Sequence, residues 1–325
     1  MSYQDFSVLI SIIAIICLFL YAVQRFSVYA ENTFKDDIKR ILYKWTKVPV
    51  LGAFVGFITT ALLQSSTAIS VLLVTMTKSK LITLSGALAV LIGANLGTTL
   101  TVQLLSFRIL DIAPYLVILG FVLMRTKTKL KKYGELVFYF GIIFSCLYLI
   151  SVIAQPLATS PMALGIASLA SNVSLGLLIG FVLTNLLQSS TLMTSIVIIL
   201  AAQGVLNFDQ SFILILGSNI GTTTTALLAA TVSNNDGKRI ALAHFLFSFF
   251  GVILFLPFIK QFSALIQSLP ITLHAQVAFS HFVFNFVIAL LALILFKYFY
   301  KLLFVFIPAR RKENKRERKK LKKFI

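Results

Sequence analysis

The stretch that decides the fold occurs twice, as GFITTALLQSST at residues 56–67 and as GFVLTNLLQSST at residues 180–191. Nine of the twelve positions are identical, and the copies lie 124 residues apart. Each copy places Gln-Ser-Ser-Thr in the middle of an apolar run, where every amide and hydroxyl group needs a hydrogen-bond partner. The motif therefore indicates a polar element enclosed by apolar surroundings.

The composition is that of an integral membrane protein. Of 325 residues, 58% are hydrophobic and only 12% are charged, which is too apolar for a water-soluble domain. Windows at 6–23, 134–154, 240–259 and 277–298 are long enough to cross about 30 Å of hydrocarbon. They are continuously apolar, whereas barrel strands alternate, so the prediction is an all-α polytopic membrane protein. Cys17 and Cys146 fall inside predicted spans and are interpreted as packing residues.

The net charge of +19 comes from a few clusters of lysine and arginine. They lie at 35–47, 125–132, 238–239 and 310–323, and each borders a hydrophobic run. This distribution is typical of the positive-inside rule and of contact with anionic lipid headgroups. Because no nucleic-acid module and no interleaved aromatic residues accompany the clusters, we expect lipid contact and no nucleic-acid partner.

A second motif pair shares the offset of the first. GANLGTTLT begins at Gly93 and GSNIGTTTT at Gly217, again 124 residues apart, which indicates a duplicated unit. Lysines and Arg40 flank the first QSST segment, whereas residues 159–171, before the second, carry no charge. The positive-inside rule then predicts two inverted-topology repeats. If each repeat has a re-entrant QSST hairpin, followed by a broken GxNxGTT helix, all the basic clusters lie on one face of the membrane.

The predicted organisation follows the chain. An N-terminal transmembrane helix, retained rather than cleaved, occupies 1–28, and repeat 1 occupies 29–133 with its hairpin at 48–77. A transmembrane helix at 134–154 opens repeat 2, which continues through 155–260 with its hairpin at 172–203. The last transmembrane helix is expected at 261–306 and a basic cytoplasmic tail at 307–325. The same topology places the N-terminus outside.

The two motifs offer complementary chemistry near the membrane midplane. A hairpin tip of Gln-Ser-Ser-Thr supplies an amide, three hydroxyls and the free N–H groups of a helix start, which suit an oxyanion. Asn and Thr oxygens in GxNxGTT suit a hard cation such as sodium, and its glycines permit a helix break. The alternative is that small polar residues only allow close helix packing. Two motif pairs at one offset favour the binding interpretation.

The motifs also carry a family resemblance. The segments LLQSSTAISVLLV, IGANLGTTLT and ILGSNIGTTTTALLAA, followed by ALAHFLFSFFGVILFLPF, resemble the type II sodium/phosphate cotransporter family over residues 30 to beyond 285. The resemblance implies inverted repeats, re-entrant hairpins and sodium-coupled movement of inorganic phosphate. It implies a phosphate site of Gln64, Ser65, Ser66, Thr67, Gln188, Ser189, Ser190 and Thr191. Sodium is expected at Gln64, Ser66, Asn95, Thr98, Thr99, Gln188, Ser190, Asn219, Thr222 and Thr223.

One departure from the family bears on stoichiometry. Electrogenic animal members carry an Asp that serves an additional sodium ion, and the matching position is Asn32 here. Glu31 lies beside it as a substitute, but the simpler expectation is fewer sodium ions per phosphate. The compact chain, without the long glycosylated loop of animal members, indicates a prokaryotic plasma (inner) membrane with the C-terminus in the cytoplasm.

Alternatives remain open at this point. A membrane enzyme acting on a phosphorylated lipid would need acidic metal ligands or a nucleophile with its base, and neither accompanies the motifs, so a non-enzyme is expected. A passive anion channel, a phosphate exporter and a carrier of arsenate or sulfate fit the same scaffold. His244 and His281 recur in AHFLFSF and SHFVFNF, either as a proton-sensing pair or as hydrogen-bonding residues between helices, and we favour the second.

The hairpins predict that phosphate binding requires sodium. Residues 52–76 and 176–201 contain no acid, base or histidine, so nothing but dipoles, hydroxyls and bound cations offsets the charge of phosphate. Equilibrium binding of radiolabelled phosphate to purified protein should be weak in choline buffer and strong in sodium buffer. Tight binding in choline would contradict this prediction.

Overall fold

The computed structural model describes residues 3–46, 48–104, 109–128, 130–155 and 160–308. Lys47, Lys129 and the basic segment 310–323 lie outside the described residues. Every regular element in the described part is helical. The first half contains α1 (Tyr3–Trp45), α2 (Pro49–Leu63), α3 (Ser66–Lys78), α4 (Leu84–Gly97), α5 (Thr99–Leu104) and α6 (Ile109–Arg125).

The remaining helices follow after a short connection. They are α7 (Lys131–Ile153), α8 (Pro161–Ala170), α9 (Val173–Leu187), α10 (Ser190–Ala202), α11 (Phe208–Gly221), α12 (Thr223–Ala230), α13 (Asn235–Phe255), α14 (Ile259–Gln267), α15 (Leu273–Ile294) and α16 (Phe296–Phe306). A 3-10 turn, Leu256–Phe258, joins α13 to α14. The expected boundary between residues 28 and 29 falls inside the continuous α1, and the range 261–306 contains parts of three helices.

The protein is a multi-pass membrane protein. Among the described residues, six helical segments are long and apolar enough to cross a membrane: Ser7–Phe34, Leu84–Leu104, Lys131–Ile153, Phe208–Ala230, Asn235–Gln267 and Leu273–Ile294. The four helices that flank the QSST motifs, α2, α3, α9 and α10, are apolar but shorter, at 13 to 15 residues. At 1.5 Å per residue they reach about 20–23 Å, less than the thickness of the hydrocarbon core.

The duplication is visible in the helix boundaries. Helices α2, α3 and α4 begin and end 124 residues before α9, α10 and α11, and α5 begins 124 residues before α12. The turns after α3 and α10 also match, because Lys80 and Gly204 both have positive φ. Both halves therefore fold into the same local unit, a two-helix hairpin followed by an interrupted helix.

Glycines set the distance between each hairpin and its interrupted helix. A Cβ atom at Gly93 would lie 1.7 Å from the Ala53 carbonyl oxygen, and one at Gly217 would lie 2.1 Å from the Leu177 oxygen. These are the same contact in the two halves, between α4 and α2 and between α11 and α9. The close backbone approach excludes any side chain at either position.

Helices of the two halves also pack against each other. Helix α3 packs against α12 and α13, whereas α10 packs against α5 and α15. Each hairpin thus contacts the interrupted helix of the other half. Helices α13 and α15 occupy matching places, because α13 contacts α3 and α4 as α15 contacts α10 and α11. The helices that carry the motifs of the two halves are consequently in contact.

Substitution of Gly93 tests this close packing. Gly93→Ala forces a methyl group into the Ala53 backbone and should destabilise the protein by about 1–3 kcal/mol or more. The control is Gly165→Ala in α8, where an added Cβ meets nothing within 4 Å and helix propensity favours alanine. Thermal unfolding in detergent should show a lower Tm for the first variant only. Equal Tm values would contradict the packing.

Candidate functional site

The turn of each hairpin consists of two residues. Gln64 (φ 56°) and Gln188 (φ 52°) adopt the left-handed conformation that ends α2 and α9. Ser65 and Ser189 are extended and cap the next helix, with each hydroxyl accepting a hydrogen bond from the backbone N–H of Ala68 or Leu192. The first serine of QSST therefore satisfies a backbone group that the apolar surroundings would leave unpaired.

The second serine of each motif begins a helix. Ser66 and Ser190 are the first residues of α3 and α10, where free N–H groups and the helix dipole favour an anion. Within the described parts of the chain, no hydrogen bond involves their side-chain hydroxyls or those of Thr67 and Thr191. The last two residues of each QSST motif thus differ from the first serine, whose hydroxyl caps a helix.

The glutamines tie each turn to the interrupted helix behind it. The Gln64 Oε1 atom accepts a hydrogen bond from the Thr101 hydroxyl of α5, and Gln188 Oε1 accepts one from Thr225 of α12 at 3.4 Å. The amide nitrogens donate back to the carbonyl oxygens of Ala61 and Asn185. Both glutamine side chains are held by protein partners and fix the shape of the turn.

The GxNxGTT helices are interrupted at one residue each. Thr98 and Thr222 separate the helical segments while keeping right-handed helical dihedral angles. Gly97 and Gly221 allow a close approach to the hairpin rather than a sharp turn, because a Cβ would lie 2.6 Å from Phe57 O and 2.9 Å from Phe181 O. The interruption is smaller than the sequence suggests.

Threonine hydroxyls satisfy carbonyl oxygens at these interruptions. Thr98 and Thr99 donate to the oxygens of Asn95 (2.8 Å) and Leu96 (2.7 Å). Thr222 and Thr223 donate to the oxygens of Ser218 (3.0 Å) and Ile220 (2.8 Å). Each hydroxyl oxygen keeps lone pairs for a cation, so these residues combine a structural bond with ligand capacity.

A small polar pocket brings the two halves together. Its lining residues are Thr67, Thr184, Asn185, Gln188, Ser189, Ser190, Gly221, Thr222 and Thr225. Thr67 comes from the first QSST segment and the others from the second half, so both hairpins contribute to one cavity. The other expected site residues lie outside its lining: Gln64, Ser65, Ser66, Asn95, Thr98, Thr99, Thr191, Asn219 and Thr223.

The two motifs differ in exposure. Ser66 is buried, at 4% exposure, and Gln64 is half-buried. Ser190 is half-buried and Gln188 is exposed. The site is consequently more open on the side of the second hairpin.

Sequence reasoning missed four polar residues here. Thr101 and Thr225 hold the glutamines, and Thr184 and Asn185 line the pocket. A signal existed for two of them, because Thr101 and Thr225 stand 124 residues apart at the ends of GANLGTTLT and GSNIGTTTT. Thr184 also donates to Ser218 at 2.7 Å, a contact that only the packing of α9 on α11 reveals.

Comparison with known proteins agrees with the duplicated architecture. The family model described as Na+/Pi-cotransporter matches the chain twice, at residues 18–152 and 153–297. The chain belongs to the Na+/Pi-cotransporter family. No solved structure matches it.

Relatives of this family member carry different names. The "Uncharacterized protein YqeW" of Bacillus subtilis (strain 168) is 29% identical over 93% of this chain and 99% of that protein. The "Putative inorganic phosphate export protein YjbB" of Escherichia coli (strain K12) is 26% identical over 77% of this chain, which spans about half, 47%, of that protein. The rat "Sodium-dependent phosphate transport protein 2C" is 48% identical over 25% of this chain and 14% of its own length.

The capping role of the first serine is testable. Ser65→Ala removes the acceptor for the Ala68 N–H and should cost about 1 kcal/mol of stability. Ser65→Thr keeps a capping hydroxyl and should restore most of that loss. Tm values of the purified variants measure the effect, and Ser189→Ala should behave in the same way. Full stability of both alanine variants would show that the caps are dispensable.

Proposed function

We propose that this protein is a sodium-coupled secondary transporter of inorganic phosphate, with its binding site between the two QSST hairpins. The observation that carries the proposal is the shared pocket, in which Thr67 of the first hairpin joins Gln188, Ser189 and Ser190 of the second. A carrier that alternates access to one central site needs such a site at the junction of its two halves.

The ligands of phosphate follow from the free polar groups. Four hydroxyl groups have no protein partner in the described residues: those of Ser66, Thr67, Ser190 and Thr191. The first turns of α3 and α10 add backbone N–H groups. The turns are shaped by Ser65, Ser189, Gln64 and Gln188, and these residues offer their remaining hydrogen-bonding capacity to phosphate. The arrangement supplies donors to an oxyanion without a fixed positive charge.

Sodium is the co-transported cation in this proposal. In the described part of the chain no cluster of His, Cys, Asp or Glu has the grouping of a metal site, and the expected ligands are neutral oxygens of the GxNxGTT helices and of Gln64, Ser66, Gln188 and Ser190. Neutral oxygens suit a hard monovalent ion that must also leave. Bound sodium would offset the charge of phosphate and so couple phosphate transport to sodium transport.

The inverted arrangement of the repeats is part of the proposal. Four helices too short to span the membrane flank the QSST turns in pairs, which supports re-entrant hairpins. Both halves contain the same unit, and each hairpin packs on the other half, as expected for repeats related by an axis in the membrane plane. The greater exposure of the second motif would then correspond to opening toward one side.

Export is the second candidate, favoured by the YjbB relatives, which are named as phosphate export proteins. The same site and the same coupling would serve movement in either direction, which the sodium and phosphate gradients would set.

We place the protein in the plasma (inner) membrane with its C-terminus in the cytoplasm, where the basic clusters contact anionic lipids.

Transport in proteoliposomes tests this function. An inward sodium gradient should drive uptake of radiolabelled phosphate, whereas an equal potassium gradient should not. Ser66→Ala removes an unpartnered hydroxyl and should lower uptake about tenfold or more, because a charge-assisted hydrogen bond is worth about 1.5–3 kcal/mol. The control Ser151→Ala, on α7, should transport normally. Equal flux in both salts would refute sodium coupling and favour a passive channel.

A further inference from the structure

His244 connects three helices behind the first motif. The residue lies on α13 and is 1% exposed. Its Nε2 atom is 3.0 Å from Oδ1 of Asn95 on α4, and its Nδ1 atom is 3.3 Å from the Ser70 hydroxyl on α3. Ser70 lies one turn after Ser66. The imidazole thus links the GxNxGTT asparagine to the hairpin helix that begins with the ligand-binding serine.

The partners fix the direction of both hydrogen bonds. A neutral imidazole has one N–H and one bare nitrogen, and the Asn95 Oδ1 atom can only accept. Nε2 therefore carries the hydrogen and donates to Asn95, and Nδ1 accepts from the Ser70 hydroxyl. The Asn95 carboxamide is held with its oxygen toward α13. Its Nδ2 group is buried and has no partner among the described residues.

Among the described residues, the second half lacks this arrangement. The residue matching Ser70 is Thr194, and the matching asparagine is Asn219. His281 lies on α15, the helix that contacts α10 and α11 as α13 contacts α3 and α4, yet its Nδ1 atom is buried without a hydrogen-bond partner in the described part of the chain. The Asn219 Nδ2 group is buried without a partner, like that of Asn95, but among the described residues no side chain donates to the Asn219 oxygen. Asn95 and Asn219, which occupy equivalent motif positions, therefore differ in their hydrogen-bond partners.

We propose that His244 is a positioning residue that makes Asn95 a hydrogen-bond donor toward phosphate and leaves Asn219 as the asparagine whose oxygen binds sodium. The inference rests on the proposed function. An amide nitrogen cannot coordinate a cation, and the N–H dipole of His244 makes the Asn95 oxygen a weaker cation ligand than an amide oxygen that accepts no hydrogen bond. The Asn219 oxygen carries no such dipole. The sequence motif predicts two equal sodium ligands, and the hydrogen bonds make them unequal.

Sodium-dependent stability separates the two asparagines. A ligand that binds only the folded state raises Tm with its concentration. Full-length protein in detergent should show a higher Tm in sodium chloride than in choline chloride. Asn95→Ala should keep that sodium-dependent rise, whereas Asn219→Ala should lose most of it. Loss of the rise in both variants, its loss in Asn95→Ala alone, or its absence in the wild type would overturn the proposal.

Phosphate kinetics test the positioning role of His244. His244→Leu removes the donor to Asn95 and should raise the KM for phosphate about five- to tenfold, as expected for one lost hydrogen bond, with little change in the sodium dependence. His244→Gln keeps an N–H near the Nε2 position and should recover most of the affinity. The matched control His281→Leu should leave the phosphate KM unchanged. Equal effects at both histidines, or no recovery with glutamine, would indicate a merely structural role.

The two assays distinguish this inference from the proposed function. If the wild type shows no sodium-driven phosphate uptake, the transport proposal fails, whereas the sodium-dependent Tm of the asparagine variants still decides which asparagine binds sodium. If uptake is sodium-driven but Asn95→Asp, which replaces the donor by an anionic oxygen, leaves the phosphate KM unchanged, the transport proposal stands and the donor role of Asn95 is wrong.

Discussion

Close packing between each hairpin and the interrupted helix beside it is the constraint on which the rest of the structure depends. Gly56 and Gly93 allow the backbones of α2 and α4 to approach so closely that a Cβ at either position would clash with a carbonyl group. Gly180 and Gly217 do the same for α9 and α11. This packing brings the Gln64 side chain within hydrogen-bonding distance of the Thr101 hydroxyl, and that hydrogen bond holds the QSST turn against α5.

A turn between two apolar helices of a membrane protein must satisfy its own backbone groups. Here a left-handed glutamine ends one helix and a serine caps the next, so the chain reverses with two residues. The same solution recurs at Gln188 and Ser189. Because those residues satisfy the turn, the following serine and threonine keep free hydroxyls. The local geometry thus separates residues that build the turn from residues available to a ligand.

The sequence predicted much of this architecture. Hydropathy indicated the membrane class, and the shared offset of two motif pairs indicated a duplication that the helix boundaries and the double family match support. The QSST segments were correctly expected at helix starts. Inversion and the re-entrant path stay predictions, because they concern the orientation of the helices in a membrane.

Other features depend on tertiary contacts that a pattern does not contain. The sequence offers three equivalent hydroxyls in each QSST, and only the turn geometry assigns Ser65 to capping. The two GxNxGTT asparagines look alike in sequence, and only the packing of α13 gives Asn95 a histidine partner. The continuation of α1 to Trp45 was also not apparent, because its charged second half does not resemble a membrane span.

The central claim is that both hairpins line one sodium-dependent phosphate site. The most direct measurement is thiol labelling of single-cysteine variants Ser66→Cys and Ser190→Cys, in a background where Cys17 and Cys146 are replaced. The account predicts that phosphate protects both cysteines from a membrane-permeant thiol reagent, and that protection requires sodium. Protection of one cysteine alone, or equal protection in sodium and in choline, would contradict a shared sodium-coupled site.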